Sequence, residues 1–395
     1  MQKKLIALAV AGLASTAAFA QTNVTIYGLV DYGYAYRWDG KNAGSNVPGA
    51  NTATPNSSSQ LNGGQSLGNR LGFKGTEDLG NGLKAVFLLE QGFMLDTGAQ
   101  QTSGSQFTRQ AYMGLSGNFG TVVGGRLYTP HYTFVSGLDP FGAGTVGRYN
   151  NVYASQRTAA AGTGVGNLTD PVRVDNALAY ISPTFLGGLT GTLAFSNNAV
   201  GNDGNITGTN SYTTGNSNSE NNTVYAGLLQ YNNGPITAGV NYHYIAGGTL
   251  AAYDSVQNAT VGGSYDFKVA KVMALYSWND VDYKVAGTGN LTLNNYMLGV
   301  TAPFGKWTGK ASYIYSDGNR SAGGDAQQFA VGLDYNLSKR TAIYSAYSFI
   351  NNDDQRLSGT GDASNSGAYP GGNVNNVLMP GVFQQGVQVG VRHMF

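Results

Sequence analysis

Apolar and polar residues alternate in short stretches along almost the whole of this chain. In "FAVGLDYNL" (329–337) every second residue is apolar, while Gly332, Asp334 and Asn336 take the opposite face. A period of two predicts β-strands, because successive side chains of a strand point to opposite faces. The sequence therefore predicts an all-β chain.

The alternating stretches have the length and polarity of strands that cross a membrane. Apolar side chains on one face and polar ones on the other, over about ten residues, are typical of transmembrane β-barrels. Sixteen strands are predicted, at 23–38, 65–77, 83–94, 107–117, 120–129, 172–182, 189–197, 221–232, 234–245, 255–267, 268–280, 290–302, 306–317, 325–337, 340–350 and 383–395. An even number lets an antiparallel barrel close with both ends of the chain on the same side.

The connections between these stretches alternate between tight and long. Tight ones lie at 78–82, 117–120, 232–235, 303–306 and 337–340, and long polar ones at 39–64, 130–171, 198–220 and 351–382. Short turns on one rim and long loops on the other are typical of an outer-membrane barrel. Disordered linkers between soluble β domains are the alternative for the long segments, and they give no reason for this alternation.

A soluble β-sandwich would also have alternating strands. Against it, aromatic residues recur near the strand ends, as in the girdles of membrane barrels, at Tyr36, Trp38, Phe93, Tyr231, Tyr244, Trp278, Trp307 and Phe349. Sixteen strands would also need two or three sandwiches, and no boundary between domains is visible. We therefore predict one barrel domain, residues 21–395.

Composition and charge agree with this class. Charged residues make up 11% of the chain, and the mean hydropathy is −0.19, which excludes a bundle of apolar helices. The chain contains no Cys, so disulfides and thiolate metal sites are excluded. The net charge of +1 gives no indication of the basic surface that binding of a nucleic acid requires.

The first twenty residues are predicted to be a secretory signal peptide. Lys3 and Lys4 form its charged region, "LIALAVAGLA" its apolar core, and Ala18-Phe19-Ala20 its cleavage site. The apolar core is shorter than the ~18 residues that a membrane helix needs. The mature chain is expected to begin at Gln21.

Catalytic and cofactor motifs are weak. "GAGTVG" (142–147) and "GQSLG" (64–68) match short motifs but lack the strand and helix that those motifs require. The three histidines are His131, His243 and His393, and no group of residues has metal-ligand spacing. We predict no cofactor and no enzyme; a membrane-embedded hydrolase that uses His131 is the third-ranked hypothesis.

Several motifs resemble the general porins of Gram-negative outer membranes, and most of all their β-proteobacterial trimeric group. These are "NVTIYGLVDYGYAY" at 23–36, "NRLGFKGTEDLGNGLKAVFLLEQGF" at 69–93, "RQAYMGLSGNFGTVVGGRLYTP" at 109–130, "YNLSKRTAIYSAYSF" at 335–349 and "GVQVGVRHMF" at 386–395. The resemblance implies a homotrimer of sixteen-stranded barrels in the outer membrane, each with its own water-filled pore. It also implies that the third loop folds inward and narrows the pore.

The resemblance also implies which residues line the constriction. "LDPFGAG" (138–144) is similar to the loop tip of the family, with Asp139 before the proline and no glutamate after it. Arg70, Arg109 and Arg148 match basic positions of the family. Alternation places Arg70 and Lys74 on the inner face, but Arg109 shares a face with apolar residues, so the residues alone leave its side open. A rim charge or an ion pair is the alternative for each arginine.

These charges predict a function. A polar lumen lets hydrated solutes cross without contact with hydrocarbon, and the lining charges set the ion preference. An excess of Arg70, Lys74, Arg109 and Arg148 over Asp139 predicts weak to moderate anion selectivity. The alternative is a substrate-specific channel for a small anionic solute or a sugar, although no aromatic ladder for sugars is visible.

Phe395 is expected to end the closing strand on its lipid-facing side. Val387, Val389 and Val391 alternate with polar residues toward it. In the family, such an ending resembles the signal that the outer-membrane insertion machinery reads, so this machinery and the membrane lipid are predicted partners.

Overall fold

The computed structural model describes residues 23–41, 57–102, 104–153, 171–199, 222–247, 253–284, 290–318, 325–352 and 382–395. The predicted signal peptide lies outside these residues, as do large parts of the predicted long loops. The extent of the barrel domain, 21–395, stays a prediction. Among the described residues, no helix is both long enough and apolar enough to cross a membrane.

The described part consists almost entirely of β-strands. They are β1 (Asn23–Lys41), β2 (Ser57–Gly63), β3 (Arg70–Gly80), β4 (Leu83–Gly92), β5 (Gln110–Gly117), β6 (Gly120–Tyr128), β7 (Arg173–Ile181), β8 (Leu189–Ser196), β9 (Thr223–Asn233), β10 (Ile236–Ala246), β11 (Tyr253–Asp266), β12 (Lys271–Tyr283), β13 (Leu291–Phe304), β14 (Trp307–Gly318), β15 (Ala326–Asn336), β16 (Thr341–Asn352) and β17 (Val382–Met394). Two helices, α1 (Pro130–Leu138) and α2 (Asn150–Tyr153), lie between β6 and β7.

The sheet is closed into a barrel. From β3 onward each strand pairs antiparallel with the next, and β17 returns to β1, from Leu29 opposite Met394 to Lys41 opposite Val382. Segments β2 and β3 both pair with the same edge of β1, one above the other, so they occupy one position in the barrel. The predicted sixteen-stranded antiparallel barrel is confirmed.

The alternation divides the strands into an outer apolar face and an inner face. On β17, Val387, Val389 and Val391 are exposed on the outside, whereas Gln384 and Gln388 are buried inside. A lipid-exposed surface must be apolar, and backbone polar groups must be paired within the closed sheet. The pattern predicted from the sequence therefore corresponds to the two faces of the barrel wall.

The second barrel strand is interrupted, which the sequence did not predict. A continuous strand at 65–77 was expected, but residues 64–69 leave the sheet between β2 and β3. The Asp31 carboxylate on β1 accepts hydrogen bonds from the backbone N–H groups of Ser66 (3.0 Å) and Leu67 (2.9 Å). These hydrogen bonds replace the strand-to-strand backbone bonds that a continuous strand would make, so the Asp31 side chain stabilises the interruption.

The connection between β6 and β7 is the third loop, and its described part folds into the barrel. It was predicted as an irregular segment, but Thr129 caps helix α1 by accepting a hydrogen bond from the Tyr132 N–H group, and Pro130 occupies the first turn. Helix α1 lies against the inner face of β8 to β12, and α2 against β14 and β15. The inward-folded third loop that the resemblance implied is present.

Part of the wall under helix α1 is apolar. Phe134, Val135 and Leu138 of α1 are buried in one cluster with wall residues such as Leu228 and Leu275. Burial of a side chain of this size stabilises the folded state by about 1.5–3 kcal/mol. The loop is thus held inside the barrel by an apolar contact that departs from the simple rule of a polar inner face.

Candidate functional site

Arg70 and Lys74 lie on the inner face of β3, as the alternation predicted. Arg70 is half-buried, and its Nε donates a hydrogen bond of 3.0 Å to the Gly68 carbonyl oxygen. Lys74 is exposed to the lumen, with Nζ 5.4 Å from the centre of the Tyr27 ring. Both cations are therefore placed to act on solutes in the lumen, and that role stays a prediction.

Arg109 forms a buried ion pair with Glu90. Its Nε donates a hydrogen bond of 2.7 Å to Glu90 Oε1, and each side chain is 4% exposed. Strand β5 begins only at Gln110, so the alternation of that strand does not govern the direction of Arg109. The ion pair is one of the alternatives that the sequence left open for this arginine.

Glu90 is a site residue that the alternation pattern did not identify. The alternation along β4 from Lys84 predicts that Glu90 faces inward. It does not reveal the partners of Glu90, because these lie on other strands. Arg70 is in electrostatic range of the same carboxylate, and the Tyr27 hydroxyl group donates a hydrogen bond of 2.8 Å to its Oε2. One carboxylate is thus shared by two guanidinium groups.

Tyr128 connects this cluster to the third loop. Its hydroxyl oxygen accepts hydrogen bonds from Arg109 (2.7 Å) and from Arg173 (3.0 Å), and the Arg173 guanidinium lies 4.7 Å from the centre of the Tyr128 ring. Tyr132 of α1 packs against Tyr128 with ring centres 5.0 Å apart. The basic cluster therefore lies where the loop leaves the wall.

A second cluster lies on β14, β15 and β17. Asp334 forms salt bridges with Lys310 (2.8 Å) and with Arg392, and all three side chains are largely buried. Arg392 also donates a hydrogen bond of 3.0 Å to Ser66 Oγ, in the interruption of the second barrel strand. Here too one carboxylate is shared by two cations.

Asp139 and Arg148 lie inside the third loop itself. Asp139 Oδ1 accepts from the Phe141 N–H group (3.0 Å), and Oδ2 accepts from those of Ala143 (2.9 Å) and Tyr149 (3.1 Å). Burial raises the pKa of the Asp139 carboxyl to about 6. Arg148 is 2% exposed, and its Nε donates a hydrogen bond to Asn151 Oδ1. Both residues shape the loop, and their predicted part in ion selection stays a prediction.

Glutamine residues connect the loop tip to the wall by hydrogen bonds. Gln388 on β17 accepts a hydrogen bond of 2.9 Å from the Val146 N–H group and donates one of 2.6 Å to Gln65 Oε1. The Gln65 carbonyl oxygen accepts from the Thr145 N–H group (2.9 Å). Gln328 on β15 donates to the Gly147 carbonyl oxygen (2.8 Å). The tip is thus bonded to β15, β17 and the interruption of the second strand.

The backbone of the loop tip is strained. Ala143 has a φ of 59° and Thr145 a φ of 63°, in the left-handed region that a β-branched residue rarely adopts. Gly144 lies so close to the wall that a Cβ built on it would be 1.5 Å from the Ser66 carbonyl oxygen. Such strain persists where surrounding contacts hold the backbone, and it occurs often at functional sites.

The remaining candidate residues, Phe395 and the histidines, lie outside the two charged clusters. Phe395 is 46% exposed on the outer face and exchanges two backbone hydrogen bonds of 3.1 Å with Gly28. His131 of α1 is buried against the wall. Its Nδ1 lies 3.2 Å from Asn241 Oδ1, and its ring centre lies 5.2 Å from that of His243. Within the described ranges, no three His or acidic side chains are grouped to hold a metal ion.

Comparisons with known proteins give a consistent result. The family described as Gram-negative porin matches residues 7–355. Outer membrane porin protein 32 of Delftia acidovorans is 35% identical over 398 aligned residues, which cover 100% of both chains. An outer membrane porin protein of Bordetella pertussis is 31% identical over 89% of this chain and 95% of its own. The solved anion-selective porin from Comamonas acidovorans superposes with a TM-score of 0.74 at 32% identity, covering 95% of this chain and 100% of that one.

Proposed function

The chain belongs to the Gram-negative porin family, and from this premise we propose that its channel passes small hydrophilic solutes and favours anions. It is a porin of the outer membrane of Gram-negative bacteria. Members of this family are channels and not enzymes. A hydrated solute crosses such a lumen without losing its water to hydrocarbon, which lowers the barrier to passage.

The sharing of carboxylates is the observation that carries the proposed selectivity. Glu90 serves both Arg109 and Arg70, and Asp334 serves both Lys310 and Arg392. The cluster around Glu90 therefore keeps an excess positive charge, to which Lys74 adds an exposed cation. In the cluster around Asp334, Arg392 is also in electrostatic range of the Asp31 carboxylate, so the charges there are balanced. Fixed positive charge along a narrow lumen raises the local concentration of anions.

The printed title of the solved Comamonas structure supports the same direction, since it calls that porin anion-selective. The basic positions Arg70, Lys74 and Arg109 lie on the wall to which the third loop is joined through Tyr128. We assign the main part of ion selection to this wall. Asp139 contributes a buried charge of the opposite sign.

The reversal potential of purified channels in a salt gradient tests the proposal. We expect a sign that corresponds to anion preference, and a clear cation preference would contradict it. Lys74→Gln is expected to bring the reversal potential closer to zero, because it removes an exposed cation of the lumen. Lys306→Gln is the matched control, since Lys306 is an exposed lysine in a turn between β13 and β14. Block of the current by one small anion or sugar at low concentration would favour a substrate-specific channel instead.

We also propose that the protein is a homotrimer that the outer-membrane insertion machinery assembles through the strand ending at Phe395. The motifs shared with the trimeric porin group support this assembly. Single-channel records should then contain conductance steps in threes. Independent single steps, together with a monomeric mass in detergent, would contradict the trimer.

A further inference from the structure

The third loop lies on inward-facing glycines of the barrel wall. Going round the barrel, successive apolar side chains of the loop each meet a glycine on a different strand. The pairs are Phe134 with Gly239 of β10, Leu138 with Gly262 of β11, Pro140 with Gly299 of β13, Phe141 with Gly332 of β15, and Val146 with Gly386 of β17. The order along the loop is the order of the strands. We call these five wall glycines the glycine seat.

The contacts leave no room for a side chain on the wall. A Cβ added at Gly299 would lie 2.5 Å from Pro140 Cγ and 2.8 Å from Pro140 Cδ. Added at Gly332 or Gly262, it would lie 2.7 Å from Phe141 Cε1 or 2.8 Å from Leu138 Cδ1. Carbon atoms in contact are normally about 3.5–4.0 Å apart. Any larger residue in the seat would therefore displace the loop or the wall.

Gly299 isolates the effect of the loop. Apart from Pro140, the nearest atom to an added Cβ is Met273 Cβ at 3.8 Å, an ordinary contact. At Gly262 and Gly332, by contrast, backbone atoms of the neighbouring strands are also close. The proline ring is rigid, so it cannot give way by changing rotamer. A methyl group at position 299 would push on the loop alone.

We propose that the glycine seat determines the width of the constriction, and that Gly299 is a specificity-determining position because it lets Pro140 lie flat against the wall. This inference rests on the proposed channel function. The loop is held at its start by the contact of Tyr132 with Tyr128 and at its tip by the hydrogen bonds of Val146 and Thr145. Pressure from the wall therefore moves the middle of the loop toward the barrel axis rather than releasing it.

Single-channel conductance of Gly299→Ala, compared with the unchanged protein, tests the inference. We expect a loss of roughly 10–30% of the conductance and slower uptake of the larger sugars in liposome swelling, because a small shift of a packed loop narrows the lumen. Gly227→Ala is the control. Gly227 faces outward on β9, where an added Cβ would meet only Leu193 Cδ2 at 3.6 Å. Its conductance should equal that of the unchanged protein.

A compensating substitution makes the test specific. Pro140→Ala removes the two ring atoms that a Cβ at position 299 would meet. The double variant should recover the conductance that Gly299→Ala loses. If Gly299→Ala does not fold, recovery of folded channels by the double variant supports the contact just as well.

Three results would overturn the inference. These are unchanged conductance in Gly299→Ala, an equal loss in Gly227→Ala, or no recovery of conductance or folding in the double variant. Failure of the proposed channel function is recognised separately, because the unchanged protein would then give no conductance at all.

Discussion

The Tyr344 hydroxyl group on β16 donates a hydrogen bond of 2.6 Å to Asp31 Oδ1 on β1, across the strand β17 that lies between them. The other oxygen of this carboxylate accepts from the backbone of Ser66 and Leu67. The bond therefore orients the side chain that holds the interruption of the second barrel strand, next to the tip of the third loop.

Tyr344→Phe is expected to lower the free energy of unfolding by about 1–3 kcal/mol, the cost of removing one partner of a buried hydrogen bond to a carboxylate. Unfolding in urea, followed by the loss of the folded band in electrophoresis, measures this. Tyr313→Phe is the matched control, since that hydroxyl group bonds to Gln327 on the exposed outer face. An equal effect of the two substitutions would show that Asp31 does not depend on Tyr344.

Glu90→Gln should increase anion selectivity. The substitution removes the negative charge that Arg109 and Arg70 share, while the amide keeps an oxygen that can accept from Arg109 Nε. We expect a larger reversal potential of the anion-selective sign. The loss of stability should stay below the 3–5 kcal/mol typical of breaking a buried ion pair.

Asp78→Asn is the control for Glu90→Gln, because Asp78 is an exposed carboxylate near the end of β3, where it accepts a hydrogen bond from the Gly80 N–H group. An equal change of reversal potential in both variants would contradict a special position of Glu90.

Anion selectivity should increase as the pH falls through about 6, where Asp139 takes up a proton. The folded-state pKa lies above the ordinary aspartate value of about 3.9, so the folded protein binds this proton before the unfolded chain does. The contribution of Asp139 to stability therefore improves as the pH falls from about 7 to about 4. Reversal potentials at about pH 7.5 and about pH 5 measure the change in charge.

Asp139→Asn provides the control for this pH dependence. At neutral pH it should already have the stronger anion preference, and its reversal potential should change less between the two pH values. A pH dependence as large as that of the unchanged protein would assign the proton to another group.

Deletion of Phe395 should reduce the yield of folded trimer more than the conductance of the channels that form. Its backbone pairs with Gly28, and its ring packs over that glycine on the outer face, away from the lumen. Folded yield by electrophoresis and single-channel conductance check the two parts. Met394→Ala is a control that leaves Phe395 in place. A normal trimer yield without Phe395 would contradict its role in assembly.

The barrel could be predicted from the sequence because its signal is local. Val387, Val389 and Val391 alternate with polar residues within one strand, and such a pattern needs no knowledge of partners. The helix α1 also had a local signal, since Thr129 followed by Pro130 is a typical helix start. The connection at 130–171 as a whole has the composition of an irregular polar loop, which outweighs this short signal.

The arrangement of the site depends on residues that are distant in sequence. Arg109 could not be placed, because it lies one residue outside its strand and its partner Glu90 belongs to another. The interruption of the second strand depends on Asp31, more than thirty residues before Ser66. No local pattern contains such a pairing, so only the folded barrel brings these groups together.

The contact between Gly299 and Pro140 also constrains how this channel can evolve. A residue with a side chain at position 299 keeps the bore unchanged only if position 140 carries a residue smaller than proline. If position 140 changes first, the loop loses its contact with the wall until position 299 changes as well. The bore of the channel is thus inherited through a pair of positions more than 150 residues apart. Natural relatives that carry a side chain at position 299 and keep the same cutoff for solute size should carry a residue smaller than proline at position 140.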